Sequence, residues 1–188
     1  MQCTFIPSNL LPSGWHASTS RAGVYRVFLD TAEKLSGTHS LCVAADEAGA
    51  EDFLVLKQYF RADDYVARRI RLSGFVKTSE VDGIAALWMR VDAAHRSPAA
   101  FDNMEPRPVT GTTEWREHRI VLDVPDDSVA VAFGLRFAGN GRVWLDRFEI
   151  AAVGPDVDTT DLHLPPEAGD TEVPDSMPRQ PVNLNFEA

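Results

Sequence analysis

The sequence predicts an all-β protein built as an antiparallel β-sandwich. Between Tyr25 and Ile150, short segments rich in valine, isoleucine, leucine and phenylalanine are separated by turns of glycine, proline, aspartate and serine. Several of these segments alternate apolar and polar residues with the two-residue period of a strand. No amphipathic helical window of any length occurs among them. Many short strands without intervening helices favour a sandwich over a parallel α/β sheet.

The composition predicts one soluble globular domain with a tail. The chain has 188 residues, of which 44% are apolar and 24% are charged. No apolar run approaches the roughly 20 residues that span a bilayer, and the N-terminus lacks the basic and apolar regions of a signal peptide. Cys3 and Cys42 are too few for a disulfide framework. A reduced, cytoplasmic protein without membrane contact is therefore expected.

The net charge of −10 is concentrated near the C-terminus. Residues 154–182 contain seven acidic side chains, one arginine and several prolines, which predicts an extended acidic arm. The rest of the chain is close to balanced for its size. Because nucleic-acid binding depends on cations that neutralise phosphates, an acidic chain without a basic stripe is not expected to bind nucleic acid directly.

The segment Gly83–Asp92, GIAALWMRVD, carries an unusual pattern for a strand. With a two-residue period, one face is apolar and is expected to form a wall of the core. The other face carries Trp88, Arg90 and Asp92. The sequence therefore predicts a strand whose outward face combines an indole, a guanidinium and a carboxylate.

A second strand and a loop extend this candidate ligand-binding face. In SVAVAFGLRFAG, the bulky residues share one face, and Arg136 stands among glycine and alanine on the other. Small residues leave a sheet surface open to a ligand or to another backbone segment. Asp102 and Asn103, in the loop after GIAALWMRVD, are expected at the rim. The candidate ligand-binding residues are Trp88, Arg90, Asp92, Asp102, Asn103 and Arg136.

Three interpretations of this face remain open at the level of sequence. An indole stacks on the apolar side of a sugar ring, while Arg and Asp form charge-assisted hydrogen bonds with hydroxyls. Alternatively, Trp88 packs under a loop while Arg90, Asp92 and Arg136 form a structural ion pair. In the third interpretation, the acidic arm lies across the cations. Motifs for nucleophilic, phosphate or dinucleotide chemistry are absent, so a non-catalytic protein is expected.

Three short motifs resemble those of a known family. Gly14-Trp15 is followed by LSGTHSLCV (Leu35–Val43), and the strand VWLDRFEI (Val143–Ile150) comes last. This order resembles carbohydrate-binding modules of the galactose-binding-like jelly-roll fold, over roughly residues 14–153. The resemblance implies a jelly-roll β-sandwich that binds ligand on a concave sheet face. Residues 87–125 also resemble a bacterial domain of this fold that occurs alone, in regulator chains and beside hydrolase domains.

The chain departs from this family at its start. The family's opening Asn-Leu/Pro-x-Phe-Glu strand is missing before Gly14, but Asn183–Glu187, NLNFE, has its pattern. We therefore expect a sandwich over residues 1–153, an arm over 154–182, and a strand over 183–188 that fills the vacant position. The strand completes the sandwich of its own chain or, in a homodimer formed by strand exchange, that of a partner.

The resemblance also implies a structural Ca²⁺ ion. In this fold the opening Glu and the Asp of the last strand bind calcium beside the SG-x-x-S turn, which corresponds here to Glu187, Asp146 and oxygens of the Ser36–Ser40 turn, including Ser40. Such hard oxygen ligands suit Ca²⁺. The alternative is that Asp146 and Glu187 only accept backbone hydrogen bonds.

The predicted function is that of a non-catalytic binding module for a carbohydrate or a similar polar small molecule. The alternative is an interaction or regulatory protein, such as a sensor or accessory partner of a transcription regulator, whose sandwich face binds its own arm or another subunit. The two hypotheses differ in one structural expectation. An arm that covers Trp88 favours the second, and an open face favours the first.

Overall fold

The computed structural model describes residues 3–187, and these form an almost entirely β structure. Residues 1, 2 and 188, at the outer ends of the predicted sandwich and closing strand, lie outside the described residues. Within the described chain no helix is long and apolar enough to cross a membrane. The strands are β1 (Thr4–Phe5), β2 (His16–Thr19), β3 (Tyr25–Asp30), β4 (Ser40–Ala45), β5 (Phe53–Arg61), β6 (Arg68–Ala93), β7 (Arg96–Ser97), β8 (Ala100–Asp102), β9 (Val109–Val124), β10 (Ser128–Ala138), β11 (Gly141–Val153) and β12 (Glu167–Ala168). One turn of 3₁₀ helix covers Ser8–Leu10.

The alternation of apolar residues determines which face of each strand enters the core. On β5, buried residues alternate with partly exposed ones along the whole strand. On β10, Val131, Phe133, Leu135 and Phe137 are all fully buried. Burying each of these side chains stabilises the folded state by about 1.5–3 kcal/mol, so this face of β10 belongs to the core. The predicted all-β class is therefore confirmed.

The two layers of the sandwich are joined through the long strand β6. Its first half pairs with β9 and β11, and its second half pairs with β10 and β8, all antiparallel. The ladder β1-β2-β5-β10-β6-β11-β4-β3 is thus continuous and curls around the core. Phe133 of β10 and Phe148 of β11 meet in this core, with ring centroids 6.5 Å apart.

The acidic arm runs along the edges of the sandwich. The Thr160 N–H donates to the Val121 carbonyl on β9, and the Leu162 N–H donates to the Phe101 carbonyl on β8, each at 2.8 Å. Farther along, β12 pairs with β7. These bonds satisfy edge groups that are otherwise open to pairing with another chain. The arm therefore forms the rim of the sandwich.

The C-terminal segment docks on its own chain, but its conformation differs from the prediction. Residues 184–186 form a turn and not a strand, because Asn183 and Phe186 adopt left-handed φ angles of 49° and 57°. The Leu184 carbonyl accepts the Phe148 N–H at 2.9 Å, and Phe186 is fully buried. The segment thus contributes to the core without joining a sheet. Strand exchange in a homodimer stays a prediction.

Candidate functional site

The outward side of β5, β10, β6 and β8 forms a continuous surface, which we call the Trp88 face. Residues directly opposite each other on antiparallel strands share a face. Lys57, Gly134 and Trp88 lie in one row across three strands, because Gly134 is paired with both of the others. The outward side chains of these four strands include Phe53, Val55, Lys57, Tyr59, Ala86, Trp88, Arg90, Phe101, Ala132 and Arg136.

A cavity of about 190 Å³ opens in the Trp88 face. Its walls are Val55, Trp88, Phe101, Asn103 and Arg136, and none of them belongs to the arm. Pockets for drug-sized ligands are typically about 300–1,000 Å³, so an occupant of this cavity stays partly exposed to water. The arm therefore borders the face and leaves the indole of Trp88 accessible from the cavity side.

Trp88 is the one tryptophan whose indole N–H lacks an acceptor within residues 3–187. Its Nε1 atom is buried and has no hydrogen-bond partner. The indole N–H groups of Trp15, Trp115 and Trp144 donate to Asn183, Glu33 and Asp30, respectively, at 2.9–3.1 Å. An unsatisfied buried donor costs about 1–3 kcal/mol.

Arg90 and Asp92 form the structural ion pair that one interpretation of the sequence expects, but without Arg136. The Arg90 Nε atom lies 3.0 Å from Asp92 Oδ1, and the Ser97 hydroxyl also donates to this carboxylate. Asp92 is only 4% exposed. Its carboxylate is therefore occupied by protein partners, and Asp92 supports Arg90 without facing a ligand.

Asp102 does not lie at the rim, as expected, but inside the protein. It is paired with Met89, whose side chain is in the core, so Asp102 shares the inward face. Its fully buried carboxylate accepts the Met104 N–H at 2.7 Å and pairs with the Arg107 guanidinium. The adjacent residues have the opposite orientation, which is why Phe101 and Asn103 line the cavity. The alternation of AFDN (Ala100–Asn103) predicts this difference in orientation, because successive residues of a strand face opposite sides.

Two cations on the Trp88 face lie over aromatic rings. The guanidinium carbon of Arg136 is 5.6 Å from the centroid of Phe53. The Lys57 Nζ atom is 5.5 Å from the Tyr59 centroid and 5.9 Å from that of Phe5. Neither cation forms an ion pair with an acidic side chain of residues 3–187. Sequence reasoning missed Lys57, because the pairing of β5 with β10 is not readable from the chain.

A second cluster surrounds the turn before β4. Asp146 Oδ2 accepts the backbone N–H groups of Leu35 and Ser36, each at 2.9 Å. The other oxygen, Oδ1, is buried and has no partner among the described residues. An isolated carboxylate oxygen in a buried place is costly, and a cation is one group that would satisfy it.

Glu187 holds the other side of the same turn. Its carboxylate accepts the Thr38 hydroxyl and the Thr38 N–H, the latter at 2.8 Å. These bonds, the hydroxyl first, lower the pKa of Glu187 below its usual value. Gly37 has a φ of 62°, and a Cβ atom there would lie 1.9 Å from Glu187 Oε1. The turn therefore requires glycine where the carboxylate docks.

The oxygens in this cluster fit a hard cation in part. Asp146 Oδ1 is available, and Glu187 supplies a second carboxylate on the same turn. The Ser40 hydroxyl, in contrast, donates to the Glu33 carbonyl at 2.6 Å. Residues 3–187 hold no group of three or more His, Cys, Asp or Glu arranged for a metal. Because Ca²⁺ takes six to eight oxygens, neutral oxygens would have to complete its shell.

Comparison with known sequences gives one informative relative. No protein-family model matches the chain. The chain is 44% identical over 136 residues to YbfP of Bacillus subtilis (strain 168), described as an uncharacterized HTH-type transcriptional regulator. The overlap covers 72% of the chain and 43% of the relative. The chain thus spans less than half the length of this relative.

Comparison with solved structures confirms the predicted fold. A bacteriophage CBA120 tailspike protein 4 domain has a TM-score of 0.58 at 11% identity, over 78% of this chain and 20% of that one. TmCBM61 in complex with β-1,4-galactotriose has 0.54 at 13%, over 78% and 93%. A CBM22 xylan-binding domain has 0.52 at 15%, over 82% and 96%. At these identities the likeness shows the jelly-roll β-sandwich of carbohydrate-binding modules, and the fold alone.

Proposed function

We propose that this protein is a non-catalytic module that binds a carbohydrate on the Trp88 face. The open cavity between Trp88, Phe101, Asn103 and Arg136 carries this proposal. Its walls combine two aromatic rings with one amide and one guanidinium, which is the combination that a sugar requires. The rings contact the apolar side of a pyranose, and the polar groups bond to its hydroxyls.

The position of the arm favours this hypothesis over self-binding. Arm residues bond to the edges of β8 and β9 and line a separate pocket beside Arg90, whereas the cavity walls contain none of them. The relative YbfP supports a related role, in which ligand binding by the sandwich informs a transcription regulator. In that role the module still binds the sugar, and the regulatory activity belongs to a larger protein or complex that contains the module.

Replacing Trp88 with Ala is expected to weaken glycan binding by roughly 30-fold, or about 2 kcal/mol, because an aromatic anchor of a binding site is lost. A glycan array identifies the ligand, and calorimetry then compares wild type with the variant. Trp115→Ala is the matched control, since this tryptophan lies on β9, on the other layer, and donates to Glu33.

The control variant is expected to bind as wild type does. Equal affinity of wild type and Trp88→Ala for the same glycan would place the binding site elsewhere. An array without any ligand for the wild-type protein would remove the proposal.

The turn before β4 is a second candidate site, for a structural Ca²⁺ ion. Asp146 and Glu187 would hold the ion with backbone oxygens of the turn, and the ion would supply positive charge to the unpaired Asp146 Oδ1 atom. Binding to the folded state alone stabilises by about 2.7 kcal/mol at a hundredfold excess over Kd. Calcium is therefore expected to raise the Tm of wild type above its value in EDTA.

Asp146→Asn tests this site, with Asp30→Asn as a matched control. Asp30 also accepts two backbone N–H groups of a turn, but its remaining oxygen is bonded to Trp144. The calcium-dependent rise in Tm is expected to disappear in Asp146→Asn and to persist in Asp30→Asn. A wild-type Tm that is the same in calcium and in EDTA would show that both carboxylates serve the turn alone.

A further inference from the structure

The cations of this acidic protein are mostly neutralised by its own carboxylates. Of the eighteen Lys and Arg residues, eleven form ion pairs with Asp or Glu within residues 3–187. With a net charge of −10, acidic groups are in excess. Seven cations have no such partner there, and two of them, Lys57 and Arg136, lie together on the Trp88 face.

Lys57 and Arg136 are neighbours on this face. Lys57 is paired with Gly134, which lies two residues before Arg136 on the same strand and on the same side. Diagonal neighbours of this kind are about 7–8 Å apart at the backbone. The Lys57 ammonium lies over Tyr59 and the Arg136 guanidinium over Phe53, so the two charges face different parts of this surface. Trp88 is the other partner of Gly134. Arg136 lines the cavity beside Trp88, and Lys57 lies outside it on β5.

The acidic groups near this face are already bonded elsewhere. Asp92 pairs with Arg90, and Asp161 accepts the Phe101 N–H at 3.1 Å. The rings under Lys57 and Arg136 hold these side chains in place without neutralising them. Two neighbouring cations that lack counter-charges present a site that is chemically complementary to an anion.

Resting on the proposed carbohydrate function, we infer that the ligand is an anionic saccharide, with a carboxylate-bearing unit such as a uronic acid. The ring of this unit lies against Trp88 and Phe101, and its carboxylate bonds to Arg136, while Lys57 adds a second positive charge to the same face. A guanidinium matches a carboxylate with two parallel hydrogen bonds, which an ammonium reinforces as a point charge. A neutral sugar leaves both cations without a counter-charge.

Calorimetry on the full chain tests this inference with two probes of matched length, an oligogalacturonate and the corresponding neutral galacto-oligosaccharide, and with a galactose phosphate as a third probe. Wild type is expected to bind the uronate at least tenfold more tightly than the neutral sugar. The preference is expected to shrink as salt rises, because exposed charges are screened beyond about 8 Å at physiological ionic strength.

Substitutions separate the charge contacts from the rest of the site. Arg136→Met is expected to lower uronate affinity about tenfold and neutral-sugar affinity by less, because its guanidinium also bonds to hydroxyls. Lys57→Met is expected to lower uronate affinity by a smaller factor and to leave neutral-sugar affinity unchanged. Arg142→Met is the control, because Arg142 is an exposed residue of β11, on the other layer. It is expected to change neither affinity.

The possible outcomes distinguish this inference from the proposed function. Equal binding of uronate and neutral sugar, abolished by Trp88→Ala, would overturn the anionic ligand and keep the carbohydrate module. Preferential binding of the sugar phosphate would overturn the carboxylate and assign a phosphorylated sugar. Absence of binding to all three probes and to a glycan array would overturn both.

Discussion

Phe186→Ala is expected to lower the free energy of unfolding by about 3–5 kcal/mol, the usual cost of emptying a fully buried phenylalanine site. Phe186 lies in an aromatic cluster, with ring centroids 5.2 Å from Trp15 and 5.7 Å from Phe148. Urea unfolding followed by tryptophan fluorescence measures the change. Phe28→Ala is the matched control, because Phe28 on edge strand β3 is 41% exposed.

The size of this effect reflects how closely the C-terminal segment is docked. Val182 exchanges two hydrogen bonds with the Gln58 side chain, at 2.7 and 2.9 Å, and its methyl group occupies the place of a side chain at Gly14. The Trp15 indole donates to the Asn183 carbonyl at 3.1 Å. A loss below about 1 kcal/mol for Phe186→Ala would mean that this segment is not part of the core.

Arg107→Met is expected to destabilise the protein by about 3–5 kcal/mol, because it leaves the fully buried Asp102 carboxylate without its cation. Arg119→Met is the matched control. Its partner is Glu117, and both side chains of that pair are partly exposed, so removal costs about 1 kcal/mol or less. The same urea unfolding experiment compares the two variants with wild type.

The Arg107 pair also has a consequence for binding. Asp102 anchors the chain between Phe101 and Asn103, which line the cavity, and its carboxylate also accepts the Met104 N–H. Arg107→Met is therefore expected to weaken glycan binding although Arg107 does not line the cavity. Equal stability of the Arg107 and Arg119 variants would show that the buried pair does not hold this loop.

Much of the fold is predictable because it follows from local alternation. The inward residues of β5 and β10 are readable from the sequence, as is the apolar wall of Gly83–Asp92. The length of β6 is not readable, since one strand of 26 residues supplies both layers. Which strands pair also depends on contacts between residues far apart in the chain, and no short segment specifies those.

The motifs of the sequence are explained by the C-terminal segment. Gly14 leaves space for Val182, Trp15 bonds to Asn183, and Gly37 leaves space for Glu187. The resemblance to the family's opening strand therefore identified the right residues. It gave the wrong conformation, because Asn183 and Phe186 adopt left-handed φ angles, which an extended strand does not contain.

For the candidate site, the sequence indicates which side of a single strand a residue faces, but not which strands lie next to each other. Trp88 and Arg136 line the cavity from the strand faces that the alternation indicated, and Asn103, expected at the rim as a loop residue, lines it too. Asp102 was expected at the rim as a loop residue, but it ends strand β8 and faces inward, because successive residues of a strand face opposite sides. Phe101 and Lys57 required the pairing of β6 with β8 and of β5 with β10, which only the folded structure provides.

The most direct test of the Trp88 face is an NMR titration of the full chain with the glycan that gives the strongest array signal. The four tryptophans give four indole N–H resonances, and three of these donors are already bonded within the protein. We expect the Trp88 indole signal to shift most, together with the amides of Phe101, Asn103 and Arg136. Shifts centred on Trp115 or Trp144, with an unmoved Trp88 signal, would contradict this expectation.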